Sequence, residues 1–265
     1  MRPTRPAFLL FVTFLISILV AAQQPPQRDP QAILIIQQSL AAMGGVQLAA
    51  IQDSQVAGTI QHSRPDGSLR MHVIIKSKGT KLLRYEVQTQ NGTRLRILNR
   101  GRAVIHTPAG HVRQLSINNT LAERISHIPI LSLLGDWADP AIEIQYVGPA
   151  NINGHSADVI ALSYAPTVDP AGAALYRSFS RTLFYIDQST RVLLKTEFKN
   201  FAENDSNSSQ KVEITYTDYR LVNGVLVPFL QTTYTDGNLD SELSLSSVAF
   251  NVGLFDSDFD LPIGR

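Results

Sequence analysis

The last third of the chain, from Arg181 to Phe250, is the feature that most constrains its fold. Runs rich in β-branched and aromatic residues alternate there with turn signals, of which Asn223-Gly224 and Asp236-Gly237 are the clearest. This alternation is typical of strands that follow one another in antiparallel order, so the segment predicts an antiparallel β-meander. No catalytic motif interrupts it. It therefore predicts a scaffold and indicates no reaction.

A second region of the same kind extends from Asp53 to Leu115. Apolar residues recur there with a period of two, and turns such as Asp66-Gly67 and Asn91-Gly92 separate the runs. Half a dozen short strands at regular spacing predict an antiparallel sheet that is strongly twisted or curled. Strands resume from Ile142 to Tyr164. The predicted fold class is mainly β, with a few helices added (α+β).

Two further segments predict exposed loops. Pro166 to Ala174 is rich in Pro, Ala and Gly, and Ala202 to Gln210 is highly polar. Neither is long enough to be a linker between domains. We therefore expect residues 29–265 to form a single domain.

The N-terminus has the three parts of an export signal. Arg2 and Arg5 precede an apolar run from Ala7 to Ala22, which ends in small residues and is followed by a polar, Pro-rich stretch. We expect residues 1–22 to be a signal peptide and residues 23–28 a polar linker. An uncleaved anchor is the less favoured alternative, because the apolar run of about 16 residues is shorter than the roughly 20 that span a bilayer.

Charge and cysteine content exclude several classes of function. The formal net charge is +1, and loss of Arg2 and Arg5 with the signal would leave about −1. A nearly neutral chain has no general attraction for nucleic acid or an acidic membrane, so we expect neither as a partner. The chain contains no cysteine. Disulfides, thiol catalysis, cysteine-ligated metals and an acylated lipoprotein cysteine are therefore excluded.

Helices are predicted in two places outside the strands, after the signal peptide and between the two β-meanders. Asp29 as N-cap and Pro30 in the first turn begin a helix with an apolar stripe, which Gly44-Gly45 ends. A short second helix is predicted from Val46 to Ile51. Both favour packing on one face of the sheet.

The other helical segment, Asn118 to Trp137, is the most apolar one after the signal and is divided by Pro129. An apolar insertion between two meanders must cover something, most simply the concave face of a curled sheet. It is either a core plug or a lid over an apolar cavity, and the sequence leaves both open. The candidate ligand-binding residues on it are Leu121, Ile125, Ile128, Ile130, Leu131, Leu134 and Trp137.

The ionisable residues give no convincing catalyst. His106 and His111 flank the same turn, but two imidazoles without a third ligand are a weak argument for zinc. Asp256, Asp258 and Asp260 alternate as in a calcium loop but lack its glycine and terminal glutamate. We therefore predict no catalytic residue, no metal site and no cofactor.

Two C-terminal phrases carry a resemblance to a known family. They are Leu183 to Lys195, which contains Asp187-Gln188-Ser189-Thr190, and Tyr216 to Phe229, which contains Asn223-Gly224. With the signal peptide and the helix that ends in Gly-Gly, they resemble the outer-membrane lipoprotein carrier and sorting superfamily, the LolA-like proteins. The resemblance implies a curled, incompletely closed antiparallel β-barrel with helices covering the concave face. It also implies a periplasmic location and an apolar cavity that shelters acyl chains, with the Asn118–Trp137 segment as part of the lid.

Three functions follow as hypotheses. The first is a periplasmic carrier, not an enzyme, whose partner is a lipid or a lipidated protein. The alternative is a non-catalytic envelope sensor or protein-interaction module on the same fold, with an envelope protein as its partner. The third, an enzyme, would need a His–acid pair within hydrogen-bond reach at the mouth of a pocket. We expect a monomer with no stable membrane span after signal cleavage.

Overall fold

The structure is a computed structural model that describes residues 27–65, 67–123, 134–166, 172–203 and 205–262. Its helices are α1 (Pro30–Ala42), α2 (Val46–Ala49), α3 (Ile117–Glu123), α4 (Ala173–Ser180) and a short 3₁₀ helix at Asp256–Phe259. The first six strands are β1 (Asp53–Arg64), β2 (Gly67–Lys78), β3 (Leu82–Thr89), β4 (Gly92–Asn99), β5 (Arg102–His106) and β6 (Val112–Gln114). The others are β7 (Ile142–Ile152), β8 (His155–Tyr164), β9 (Thr182–Asp187), β10 (Leu193–Ala202), β11 (Asp205–Val222), β12 (Val225–Thr235) and β13 (Asn238–Phe250).

These strands form one antiparallel sheet made of two meanders. Strands β1 to β6 pair in sequence order, and so do strands β7 to β13. The meanders are joined where the first strand pairs with the last, for example Val56 with Val248 and Ile60 with Leu243. Strands β6 and β7 stand at opposite ends of the strand order, so hydrogen bonds do not close the sheet. The predicted curled, incompletely closed antiparallel β-barrel is confirmed.

Gly58 allows the two meanders to come together. The register between β1 and β13 shifts at Ala57 and Gly58, which is a bulge in the junction. A Cβ atom at Gly58 would lie 2.5 Å from the backbone oxygen of Ser244. Any other residue there must push the two strands apart.

Helix α1 packs its apolar stripe into the core. The Asp29 side chain accepts hydrogen bonds from the backbone N–H groups of Gln31 (2.8 Å) and Ala32 (3.2 Å), as predicted for an N-cap. Ile36 and Met43 are fully buried. The Met43 carbonyl then accepts a hydrogen bond from the backbone N–H of Leu226, which fastens the end of the helix to the β11–β12 turn.

The residues just before α1 are tied to the edge strand β7. The backbone of Asp29 donates to the Ile144 carbonyl, and the Ile144 N–H donates to the Gln27 carbonyl. The guanidinium of Arg28 donates to the carbonyls of Trp137, Asp139 and Ile142 at 2.7 to 3.0 Å. Part of the predicted polar linker therefore pairs with the sheet and orders the segment that precedes β7.

Two sequence predictions need correction. The polar stretch Ala202–Gln210, predicted as a loop, belongs to the β10–β11 hairpin, and β11 begins at Asp205. Its residues are polar because both faces of the hairpin are exposed there. Helix α4 was not predicted. It packs through an edge-to-face contact between Tyr176 and Tyr164 and one between Phe179 and Phe201. Most of the predicted Pro166–Ala174 loop lies outside the described residues.

None of the helices in the described ranges has the length and apolar character needed to cross a lipid bilayer.

The β9–β10 turn is organised by one buried carboxylate. Oδ1 of Asp187 accepts hydrogen bonds from the backbone N–H and the hydroxyl of both Ser189 and Thr190, at 2.6 to 3.0 Å. Burial alone would raise the pKa of Asp187, but these hydrogen bonds outweigh it and hold the pKa far below its usual range. The Asp187–Thr190 turn, which carried part of the family resemblance, therefore serves to stabilise the connection between β9 and β10.

Replacing Gly58 should weaken the junction of the two meanders. We expect Gly58→Ala to lower the free energy of unfolding by about 1–3 kcal/mol, because the added methyl group meets backbone that cannot move aside. Ser244→Ala, at an exposed position on the facing strand, is the control and should change it by less than about 0.5 kcal/mol. Urea denaturation of the three proteins checks this, and equal stabilities would contradict the close approach.

The turn at Asp187 should make stability depend on pH. Because the folded pKa lies below the unfolded value, the carboxylate stabilises fully above about pH 4, and this contribution is lost as the pH falls towards the folded pKa. Asp187→Asn should therefore cost about 1.5–3 kcal/mol at pH 7 and less at pH 3. Denaturation at both pH values measures the difference. Asp205→Asn, in an exposed turn, is the control, and an equal loss at both pH values would refute the assignment.

Candidate ligand-binding site

A cavity of about 1440 Å³ lies on the concave face of the sheet. Strands β1 to β4 supply one wall and strands β10 to β13 supply the facing wall. The first wall includes Ile60, Leu69, Met71, Tyr85, Val87 and Arg96. The facing wall includes Phe198, Val212, Ile214, Gln231, Ser241 and Leu243. Residues of the β3–β4 and β5–β6 turns, among them Asn91 and Pro108, line its rim.

The same strands build both the core and the cavity. Side chains two residues apart on a strand share a face, so the inward face of β1 runs from Val56, buried in the core, to Ile60 in the cavity. On β4 it runs from buried Leu98 to Arg96 and Arg94. The interior is thus filled at one end of the strands and open towards the hairpin turns. Whether the Asn118–Trp137 segment is a core plug or a lid stays open, because residues 124–133 lie outside the described residues.

Helix α3 packs against strands of both meanders, β5 and β10. The side-chain amide of Asn119 donates to the Phe201 carbonyl at 2.9 Å, and its oxygen accepts from the Phe201 N–H at 3.1 Å. The Glu203 carboxylate accepts from the Ser116 N–H and pairs with Arg113 of β6, at 3.1 and 3.0 Å. The helix is therefore fastened to β10 of one meander and to β6 of the other.

An ion pair joins α3 to the cavity wall. Nη1 of Arg96 lies 3.2 Å from Oε1 of Glu123, whose side chain is only 10% exposed. Burial raises the pKa of Glu123, and the Arg96 guanidinium opposes the rise. Burial also raises the pKa of Tyr85, the cross-strand neighbour of Arg96, to about 12, although Arg96 acts against it. Charged and polar side chains therefore make up a large part of the cavity lining, beside apolar ones such as Ile60 and Val87.

The candidate residues of the Asn118–Trp137 segment divide into two groups. Leu121 and Leu134 are buried and Trp137 is half-buried, and the described α3 residues that line the cavity are Ala122 and Glu123. Ile125, Ile128, Ile130 and Leu131 lie outside the described residues. The ligand contacts predicted for this segment therefore remain a proposal.

The strand residues that line the cavity were not predicted as site residues from the sequence. Arg94 and Arg96 carry the signal that could have found them, because they continue the inward face that begins at Leu98. Charged residues on a face that is apolar elsewhere indicate that the face has left the core.

The described His–acid pairs are not arranged as a catalytic Ser–His–Asp triad. His62 and Asp240 line the cavity, but Nδ1 and Oδ2 are 3.8 Å apart, beyond hydrogen-bonding distance. His155 lies 3.2 Å from Asp187, outside the cavity, and the Ser189 hydroxyl donates to Asp187 and not to the imidazole. Within the described ranges, no group of three His, Asp or Glu side chains is arranged to hold a metal ion.

Solved structures share this architecture. A domain described as an outer-membrane lipoprotein-sorting protein from Vibrio parahaemolyticus superposes with a TM-score of 0.59 at 14% identity, over 87% of this chain and 96% of its own. The chain has a LolA-like fold. A LolA superfamily protein from Nitrosomonas europaea gives 0.58 at 16% identity, covering 87% and 97% of the two chains. A DUF1329 family protein from Desulfovibrio piger gives 0.58 at 14%, covering 86% and 97%.

The comparisons confirm the resemblance at the level of the fold. No protein-family model and no curated protein matches the sequence. At 14% to 16% identity, the shared LolA-like fold gives the frame of the cavity, and the ligand must be argued from the residues that line it.

Removing the Asn119 side chain should release α3 from β10. We expect Asn119→Ala to cost about 1–3 kcal/mol, because it leaves a buried backbone donor and acceptor without partners. The Phe201 amide should also lose protection in hydrogen exchange. Ile117→Ala, at an exposed position of the same helix, is the control and should leave Phe201 protected. Unchanged exchange at Phe201 in Asn119→Ala would show that the helix is held otherwise.

Proposed function

We propose that the protein is an exported, non-catalytic carrier that holds an acyl chain of a lipid or a lipidated protein in its cavity. The observation that carries the proposal is the cavity itself, which is larger than the roughly 300–1,000 Å³ typical of pockets for small ligands. The LolA-like fold supports it, since a similar structure is described as a lipoprotein-sorting domain.

The facing wall of the cavity suits an acyl chain. Val212 and Ile214 lie on β11, where Phe198 of β10 pairs with Val212. Leu243 lies on β13, with Gln231 and Thr233 of β12 between it and β11. An acyl chain that leaves water for such a surface gains about 0.8 kcal/mol for each buried CH₂ group. Val212, Ile214 and Leu243 are only 6% to 8% exposed and Phe198 is half-buried, so the cavity meets only part of each side chain.

The remaining parts of the proposal concern location and access. Residues 1–22 are proposed to be a signal peptide that directs the chain to the periplasm. The Asn118–Trp137 segment is proposed to be part of the lid, with Leu121, Ile125, Ile128, Ile130, Leu131, Leu134 and Trp137 as its apolar contacts. Its first turn, α3, already lies against the cavity through Ala122 and Glu123.

The second candidate function is an envelope sensor or interaction module. Val46 is 78% and Leu221 is 70% exposed, and their elements adjoin because Gly224 packs against Gln47. Exposed apolar side chains on adjoining elements are the feature that favours a protein partner. A protein that binds this partner with an empty cavity would support the module and not the carrier.

The carrier proposal is tested by filling the cavity. Leu243 lines the cavity and Ser244 is exposed on the opposite face of β13, so the same substitution can be placed inside and outside. We expect Leu243→Trp to weaken binding of a fluorescent fatty-acyl probe by at least about tenfold, or ~1.4 kcal/mol. Ser244→Trp should bind like the unmodified protein.

Mass spectrometry of an organic extract of the native protein provides the second measurement. Lipid should be found in the extract of the unmodified chain and of Ser244→Trp, and much less in that of Leu243→Trp. Repeatedly empty extracts, together with no probe binding by the unmodified protein, would overturn the carrier function.

A further inference from the structure

The charges that line the cavity are distributed unevenly. The first wall carries four arginines, and the described carboxylates that line the cavity are Glu123 and Asp240. The facing wall carries the carboxylate of Asp240 and uncharged hydrogen-bonding groups, chiefly the amides of Asn200, Gln210 and Gln231. The arginines are Arg64, Arg70, Arg94 and Arg96. Positive charge therefore exceeds negative charge inside the cavity, although the chain as a whole carries only +1.

Some of these guanidinium groups have no carboxylate partner among the described residues. Arg96 pairs with Glu123, and Arg70 donates to the amide oxygen of Gln61 at 3.2 Å. Arg94 forms no ion pair or hydrogen bond with the residues that the structure describes. It lies two residues from Arg96 on β4, so both side chains are on the cavity face.

The surroundings of Arg94 are positive. Burial lowers the pKa of Arg94, and the guanidinium groups of Arg96 and Arg113 lower it further, against the weaker pull of Glu123. The carboxylate of Glu203 neutralises Arg113, as Glu123 does Arg96. Arg94, like Arg64 and Arg70 at the cavity, has no carboxylate partner among the described residues.

Such a site has a definite chemical preference. A guanidinium binds a carboxylate or phosphate through two parallel hydrogen bonds, and charge-assisted hydrogen bonds are about twice as strong as neutral ones. Because Arg94 is exposed, solvent and salt screen part of this attraction. A neutral headgroup leaves the guanidinium without a counter-charge, and a cationic headgroup is repelled.

We propose that the cavity binds an anionic amphiphile, whose carboxylate or phosphate is held by Arg94 while its acyl chain lies against the wall formed by Val212, Ile214 and Leu243. The inference rests on the proposed carrier function and names the class of its ligand. Arg96 remains paired with Glu123 and supports Arg94 through its charge. The amides of the facing wall are available to the neutral part of the headgroup.

A matched set of ligands tests the proposal on the full-length protein purified without its signal segment. The ligands share one saturated acyl chain and differ in the headgroup: a fatty acid, a monoacyl glycerol phosphate and an uncharged monoacylglycerol. Inorganic phosphate alone is the fourth ligand. Affinities are measured by displacement of a neutral fluorescent acyl probe, and by calorimetry for phosphate.

The variants isolate the charge at one position. Arg94→Gln removes the cavity cation, and Arg94→Lys keeps the charge but loses the planar fork. Arg102→Gln makes the same change in charge on β5, at an exposed position that does not line the cavity. We expect the two anionic ligands to bind at least about tenfold more tightly than monoacylglycerol. That preference should disappear in Arg94→Gln, be intermediate in Arg94→Lys and persist in Arg102→Gln.

Each other outcome has a distinct meaning. If monoacylglycerol binds as tightly as the anionic ligands and Arg94→Gln changes nothing, the carrier function stands and the anionic preference is refuted. If inorganic phosphate binds as tightly as the monoacyl phosphate, the site takes a free ion and the amphiphile is refuted. If no acylated ligand binds the unmodified protein, the carrier function itself fails. If Arg94→Gln does not fold, the headgroup series on the unmodified protein and Arg94→Lys decides the question.

Discussion

The pairing of the first strand with the last is the interaction on which the rest of the structure depends. It joins residues nearly two hundred positions apart, such as Val56 and Val248, and it turns two meanders into one sheet. Each meander alone would expose a full set of edge groups and could enclose nothing. The junction needs Gly58, because the strands approach more closely there than a Cβ atom allows. The bulge at this residue also adds twist, which favours a curled sheet over a flat one.

The concave face of the curled sheet is filled near one end of the strands and open near the other. Near α1 the concave side is filled by residues such as Ile36 and Leu98, which are buried in one continuous core. Farther along the same strands the described helices leave a cavity, and side chains that would be misplaced in a core, such as Arg96 and Gln231, become tolerable. Residues such as Ile60 and Leu243 belong to the core cluster and also line the cavity, so the two regions merge along the strands.

Local signals in the sequence predict most helices and strands of this structure. They do not predict the contacts between residues that are far apart in the chain. Asp29 and Pro30 mark the start of α1, and Asn223-Gly224 marks a hairpin turn, because the required backbone geometry depends on those residues themselves. The bonds from Arg28 to carbonyls more than a hundred residues away depend on the finished fold. Helix α4 was missed since its aromatic contacts to β8 and β10 decide its place. For the same reason, the alternation of β4 predicts a strand but not that Arg94 faces a cavity.

The ion pair between Arg96 and Glu123 links the architecture to the chemistry of the cavity. A buried carboxylate is costly without a counter-charge. Placing Glu123 of α3 against the first wall therefore requires a cation on β4, which Arg96 provides. One arginine on β4 would satisfy it, and the strand carries two on its inward face. The second cannot share the same carboxylate without losing part of the stabilisation of the first. The facing wall offers amides, apolar groups and the carboxylate of Asp240, and an anionic ligand in the cavity, as proposed, would give the second arginine a counter-charge.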